Sequence, residues 1–154
     1  MLPDIRSLVP HSGAMVLLDR LLDADRHNLC AEVRIEADTL FCDGVAVGAW
    51  VGVEYMAQAI AAHAGYLAHL RGEPVKVGFL LGSRRYECSE AEFPVGSVLH
   101  VHVHEELQGE NGLGAFACRI EEASRPGRVL AQATVTVFQP RNVHDFVEGK
   151  EGAT

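Results

Sequence analysis

The chain has 154 residues, 48% of them apolar, enough for one ordinary domain with its own core, which excludes a disordered segment. Thirteen Lys and Arg against 21 Asp and Glu leave a net charge of −8, a sign that repels phosphate backbones and anionic lipid, so nucleic-acid and membrane-surface binding are set aside. Cys30, Cys42, Cys88 and Cys118 form no Cys-x-x-Cys pair, which sets aside zinc knuckles, redox motifs and a dense disulfide frame; they read as reduced, buried core thiols.

No basic stretch followed by an apolar run opens the chain, so no export signal is read and the cytoplasm is the expected location. Residues 5–9 predict one or two helical turns stopped by Pro10. Residues 15–22 are apolar enough for a strand. In 29–35, Leu29, Ala31, Val33 and Ile35 alternate with Cys30, Glu32 and Arg34, the period of a half-buried strand, leaving 23–28 as the turn. Residues 49–70 are almost wholly Ala, Val, Ile, Leu, Met and aromatics, closed by Arg71 and Gly72, and predict the one long helix. Strand character returns in 75–81 and on to 88, then in 98–107, 114–121 and 129–138, as a meander of antiparallel strands. The polar residues 140–154 predict a C-terminal tail outside a domain of residues 1–139.

Gly52, Ala57, Ala59, Ala61, Ala62, Ala64, Gly65 and Ala68 spread over most faces of the long helix, and a helix apolar all round belongs inside something. Two strands, one helix and four strands do not alternate as a parallel sheet requires. The economical architecture is α+β, an antiparallel sheet wrapped around one long central helix. A membrane span is the competing reading, since Gly44, Gly48 and Gly52 have small-xxx-small spacing; Glu54, Gln58 and His63 within the run oppose it.

Glu54 and Gln58 stand four apart and share a helix face. A carboxyl among apolar neighbours is drawn toward its neutral form, which makes Glu54 the candidate general acid/base; the alternative is an ion pair with Arg20, Arg84 or Arg85. His100, His102 and His104 alternate with Val101 and Val103, so three imidazoles share one strand face. Such neighbours can bind metal, but the reading taken is solvent-facing positions and no metal site. His63 is expected toward the core and His69 at the surface. Ser12 lacks a Gly-x-Ser-x-Gly elbow and no Gly-rich phosphate loop precedes a helix, which disfavours hydrolase and nucleotide-binding readings. Arg84 and Arg85 read either as a small basic patch for an acidic partner or as exposed residues paired with Glu87 or Glu90.

Leu8-Val9-Pro10-His11, Leu17-Leu18-Asp19-Arg20 and Glu54-Tyr55-Met56-Ala57-Gln58-Ala59 resemble, in order and spacing, the 3-hydroxyacyl-acyl carrier protein dehydratases of the FabZ type. Gly78-Phe79-Leu80-Leu81-Gly82-Ser83-Arg84-Arg85-Tyr86-Glu87-Cys88 is similar to the ApeP-like dehydratases of aryl-polyene biosynthesis, and the resemblance covers residues 3–139. It implies a hotdog fold, commonly a homodimer with the two sheets joined edge to edge, or a heteromer with another hotdog dehydratase. It implies loss of water from a 3-hydroxyacyl group on acyl carrier protein to give the trans-2-enoyl form, with no metal or organic cofactor.

By the same resemblance Glu54 works with a histidine, Gln58 holds the leaving hydroxyl or its water, and the amides of Ala49 and Trp50 bind the thioester carbonyl. Phe79, with Trp50, Tyr55 and Phe41, is expected to shape the acyl tunnel, and Arg84 and Arg85 to meet the carrier protein. The family's histidine slot is filled here by Leu40, in Leu40-Phe41-Cys42-Asp43-Gly44, and His11 is the candidate replacement. Two alternatives share the fold: a thioesterase, and an incomplete subunit that binds acyl chains or completes a partner dehydratase.

Overall fold

A computed structural model describes residues 2–74, 79–109 and 111–138, the side chains of residues 79–81, 83 and 84 excepted. In chain order come 3-10 turns at Ile5–Ser7 and Gly13–Met15, β1 (Arg20–Ala24), β2 (Asn28–Arg34) and β3 (Ala46–Gly48). A further 3-10 turn, Ala49–Val51, runs straight into α1 (Gly52–Leu70), and β4 (Phe79–Cys88), β5 (Glu92–Pro94), β6 (Val98–Gln108), β7 (Leu113–Glu122) and β8 (Val129–Phe138) follow.

Period-2 alternation gives the large sheet two unlike faces. Leu29, Ala31 and Val33 of β2, Leu99, Val101 and Val103 of β6, Ile120 of β7 and Val135 of β8 are buried on the side that packs against α1. Their neighbours Cys30, Glu32, His100, His102, Arg119 and Glu121 lie opposite one another on the other side. The sheet has six strands in the order β1-β2-β6-β7-β8-β4 with every pairing antiparallel, and β3 and β5 form a separate two-stranded ribbon. The expected α+β wrap around one helix is therefore present. Burying each large aliphatic side chain of this core contributes about 1.5–3 kcal/mol before the entropy of ordering is subtracted.

Small residues in α1 do what close packing requires. Gly65 is buried, and a Cβ there would collide with the carbonyl of Leu8, so the N-terminal segment lies directly on the helix. No helix among the described residues is long and apolar enough to cross a membrane, and Gly44 and Gly48 stand outside α1.

Several expected boundaries move. Residues 15–22 are not one strand: Met15 closes a 3-10 turn and pairing starts only at Arg20, because the backbone of Met15 and Leu17 bonds to the Gln58 side chain instead of a neighbouring strand. The turn narrows to residues 25–27, where one Asp25 carboxylate oxygen accepts the amides of His27 and Asn28, both at 2.8 Å. β3 and β5, three residues each, are too short for a periodic signal. The strands after the helix are not a simple meander, since β6, β7 and β8 follow in order but β4 pairs on the far side of β8. Residues 75–78 and the tail 140–154 lie outside the described residues.

Candidate active site at the start of the central helix

Glu54 lies in the first turn of α1, where a negative charge is favoured by the helix dipole. It is half-buried, and among the described residues its carboxylate has neither a hydrogen-bond nor an ion-pair partner. Arg20, one expected partner, is bonded to Glu32 at 3.0 Å.

Gln58, one turn along and 1% exposed, is occupied at both ends. Its Oε1 accepts the Leu17 amide at 2.9 Å and its Nε2 donates to the Met15 carbonyl at 2.7 Å. The amide that sequence reasoning offered to a departing hydroxyl thus already holds the N-terminal segment on the helix.

The expected carbonyl-binding pair divides. The Ala49 amide donates to the Ala91 carbonyl at 3.0 Å and is not available to a thioester, which corrects that expectation. Trp50 stands at the second position of the 3-10 turn, where no preceding helical carbonyl accepts its amide. Its ring is 69% exposed and edge-on to Phe41 at 5.7 Å.

Tyr86 is the residue that sequence reasoning left without a role. Its hydroxyl donates to the Ala49 carbonyl and sits where a Cβ on Gly52 would be, and it accepts the Cys88 thiol at 3.2 Å. β4 aims it there through a bulge between Arg84 and Glu87, with Arg85 at φ +52. The only signal was its place inside the Gly78–Cys88 motif. Burial, followed by the Cys88 contact, pushes the Tyr86 hydroxyl far above its ordinary value, so it is a neutral donor bracing the helix start. The Tyr55 hydroxyl is raised likewise, mainly by burial; it is fully enclosed, its ring tilted against Phe93 and its oxygen without a partner among the described residues.

Leu40, at the position where the FabZ-type resemblance implies a histidine, is half-buried and packs against the core. His11, the proposed replacement, lies between the first two 3-10 turns on the segment pinned by Leu8 at Gly65 and by Met15 and Leu17 at Gln58. Its Nδ1 is buried without a partner, and no hydrogen bond joins it to Glu54. Glu54 is one turn beyond Gln58, about 6 Å farther along the axis.

His63 is buried as expected, its Nε2 donating to the carbonyls of Asp25 (3.1 Å) and Arg26 (3.0 Å), and burial holds it below the usual histidine range. His69 is exposed. Arg85 is exposed and pairs with neither expected carboxylate, because Glu87 accepts from Gln132 at 3.3 Å and Glu90 pairs with Arg128 at 2.9 Å. The side chains of Phe79 and Arg84 lie outside the described residues. All four cysteines are free; only Cys118 is fully buried, with burial pushing its thiol up to about 12, while the other three are half-buried. His100 and His102 lie on the sheet face away from α1 and are half-buried there, and His104 beside them is exposed.

An antiparallel sheet wrapped around one long helix is the hotdog architecture, and this one carries an unpaired carboxylate in the helix's first turn. The chain belongs to the ApeP-like family, described as ApeP dehydratase, whose pattern matches residues 3–148. In three dimensions it is similar to a chain of the dehydratase heterocomplex ApeI:P from Xenorhabdus doucetiae, with 28% identity, TM-score 0.85, and 96% of this chain and 97% of that one covered. Thioesterase superfamily member 2 of zebra fish shares the fold at 12% identity and TM-score 0.66, covering 88% of this chain and 92% of that one. A hypothetical thioesterase of Streptococcus pneumoniae TIGR4, crystallised with coenzyme A, does so at 14% identity and TM-score 0.61, covering 80% and 88%. No curated protein matches the chain significantly.

Proposed function

We propose that this chain is a dehydratase that removes water from a 3-hydroxyacyl group on acyl carrier protein, giving the trans-2-enoyl thioester in fatty-acid-like or aryl-polyene assembly. The observation that carries the reading is the Glu54 carboxylate, left unpaired at the helix start while Glu32, Glu90 and Glu121 are all ion-paired. Dehydration needs a base for the α-proton and an acid for the departing β-hydroxyl, which leaves as water once the C–O bond breaks. Glu54 fills one of these roles. With Leu40 in the histidine slot, the second group is His11 or a residue of a partner subunit.

Two observations support a working heteromer with a second hotdog dehydratase: the ApeI:P complex is one, and the exposed apolar side chains Phe41, Val45 and Trp50 beside the helix start are the other. Gln58 and Tyr86 position the helix turn that carries Glu54, and Arg85 is an exposed cation that could meet an acidic carrier protein.

The test is dehydration of 3-hydroxyacyl-carrier protein by the chain alone and mixed with a hotdog dehydratase encoded beside it. Loss of turnover in Glu54→Gln supports the reading, and full activity in that variant overturns it. Full activity in His11→Ala transfers the second role to the partner. The thioesterases of the same fold give the second reading: release of free thiol with the hydroxyl retained would establish hydrolysis instead.

A further inference from the structure

We propose that Cys30, His100 and His102 form a binding site for a divalent metal ion of zinc type, on the sheet face opposite α1. His100 and His102 are two apart on β6 and so project to the same side, and Cys30 of β2 stands directly across from His102. The Cys30 Sγ lies 3.8 Å from the His102 Nε2, and one donor atom from each of the three residues lies within 4.8 Å of the others. Around a tetrahedral zinc ion with bonds of about 2.0–2.3 Å, donors stand roughly 3.3–3.8 Å apart. The cysteine–His102 edge already has that size, and a small rotation of the His100 ring closes the rest.

The donor chemistry selects the ion. One thiolate with two imidazoles suits zinc and its d-block neighbours, whereas magnesium and calcium take oxygen. All three residues are half-buried, so an ion reaches them from solvent and keeps a fourth position for water. Two carboxylates stand just outside the donors: Glu32 lies 3.9 Å from the His100 Nε2 and Glu121 lies 3.9 Å from the His102 Nε2. Both carboxylates are buried and fixed, Glu32 by Arg20 and Arg34 and Glu121 by Arg119, which is the β7 neighbour of His102. His104 is not part of the cluster, its Nδ1 being bonded to Asn28 Oδ1 at 2.7 Å.

Binding forms three metal–protein bonds and releases the Cys30 thiol proton to solvent. The dehydration proposed above needs no metal, and these residues face away from Glu54's helix. The ion therefore pins β2 to β6 in the middle of the sheet.

The experiment uses full-length, untagged, reduced protein stripped by chelation and titrated first with Co²⁺, then with Zn²⁺. Expected are one Co²⁺ per chain, a thiolate-to-cobalt band in the near ultraviolet with the visible bands of a tetrahedral ion, and loss of both on adding Zn²⁺. Cys30→Ser abolishes the thiolate band, and Cys30→Ser or His102→Gln weakens Zn²⁺ binding by roughly a hundredfold or more, since losing even an outer-shell partner costs about 10–100-fold. His104→Gln binds as the parent does. If Cys30→Ser folds poorly, His100→Gln carries the same test. Failure to bind Co²⁺ stoichiometrically, or an unchanged spectrum and affinity in the Cys30→Ser/His102→Gln double variant, overturns the proposal.

Discussion

Replacing Gln58 by alanine removes two bonds that join the helix to a segment some forty residues earlier in the chain. The Leu17 amide is buried and is left with no acceptor, a loss of about 1–3 kcal/mol, whereas the Met15 carbonyl belongs to a residue 56% exposed and recovers most of its loss from water. Adding the space vacated by the side chain gives about 2–4 kcal/mol, a large part of the roughly 5–15 kcal/mol that holds such a domain folded. The melting temperature should fall by roughly 4–16 °C. Gln58→Glu keeps an acceptor for Leu17 but buries a carboxyl against the Met15 carbonyl, so it should be milder only at acid pH, where the protonated carboxyl can donate to Met15. Urea unfolding followed by circular dichroism, with kcat/KM for a 3-hydroxyacyl-carrier protein measured in parallel, separates holding from chemistry. An alanine variant within about 0.5 kcal/mol of the parent but with a collapsed kcat would refute the reasoning, because it would mean that the amide serves the substrate rather than the chain.

Gly65→Ala drives a methyl group into the Leu8 carbonyl and should cost about 1–3 kcal/mol, with the N-terminal segment cut faster by protease; unchanged stability and cleavage would contradict the contact. Tyr86→Phe loses the hydrogen bond to the Ala49 carbonyl, with an expected cost of about 0.5–1.5 kcal/mol and reduced turnover as the Glu54 turn loosens; full turnover would show that the brace is dispensable. His63 is held neutral, mainly by burial, below its ordinary value of 6.5, so only the unfolded chain takes up this proton as pH falls through that value. Its contribution is complete above about pH 6.5 and is lost toward the lower folded value, at up to about 1.4 kcal/mol per pH unit. His102, lowered by burial and then by Arg119, acts in the same window, so urea midpoints between neutral and mildly acid pH should fall for the parent and fall less steeply for His63→Gln; equal slopes would refute the assignment.

The long helix was legible because an apolar run of that length has few other destinations, and β8 was read to the residue because Gln132, Thr134 and Thr136 alternate with apolar residues through most of it. Glu54 and Gln58 on one helix face follow from spacing alone. What Gln58 holds does not, since its partners are backbone atoms that carry no side-chain pattern and lie far off in the chain. The same bonds hid the true start of β1. Tyr86 escaped because a bulge in β4 decides where it aims, and the Ala49 amide because a loop residue, Ala91, takes it. Cys30 and the strand histidines were read separately as core thiol and solvent-facing rings, and only the β2–β6 register sets them side by side. Leu40, where the FabZ-type resemblance implies a histidine, packs against the core.

The N-terminal segment that lies on α1 also imposes an order of assembly. As the chain is synthesised, Leu8, Met15 and Leu17 emerge well before their partners Gly65 and Gln58, and β2 waits longer still, since Asn28 pairs with His104. The first third of the protein therefore leaves the ribosome with its apolar side chains uncovered until the helix and then β6 have followed. Such long-range closure makes folding slow and exposes strands to wrong partners. A cell that makes this chain beside a second hotdog subunit has, in that interval, two sets of unpaired strands of the same kind to keep apart.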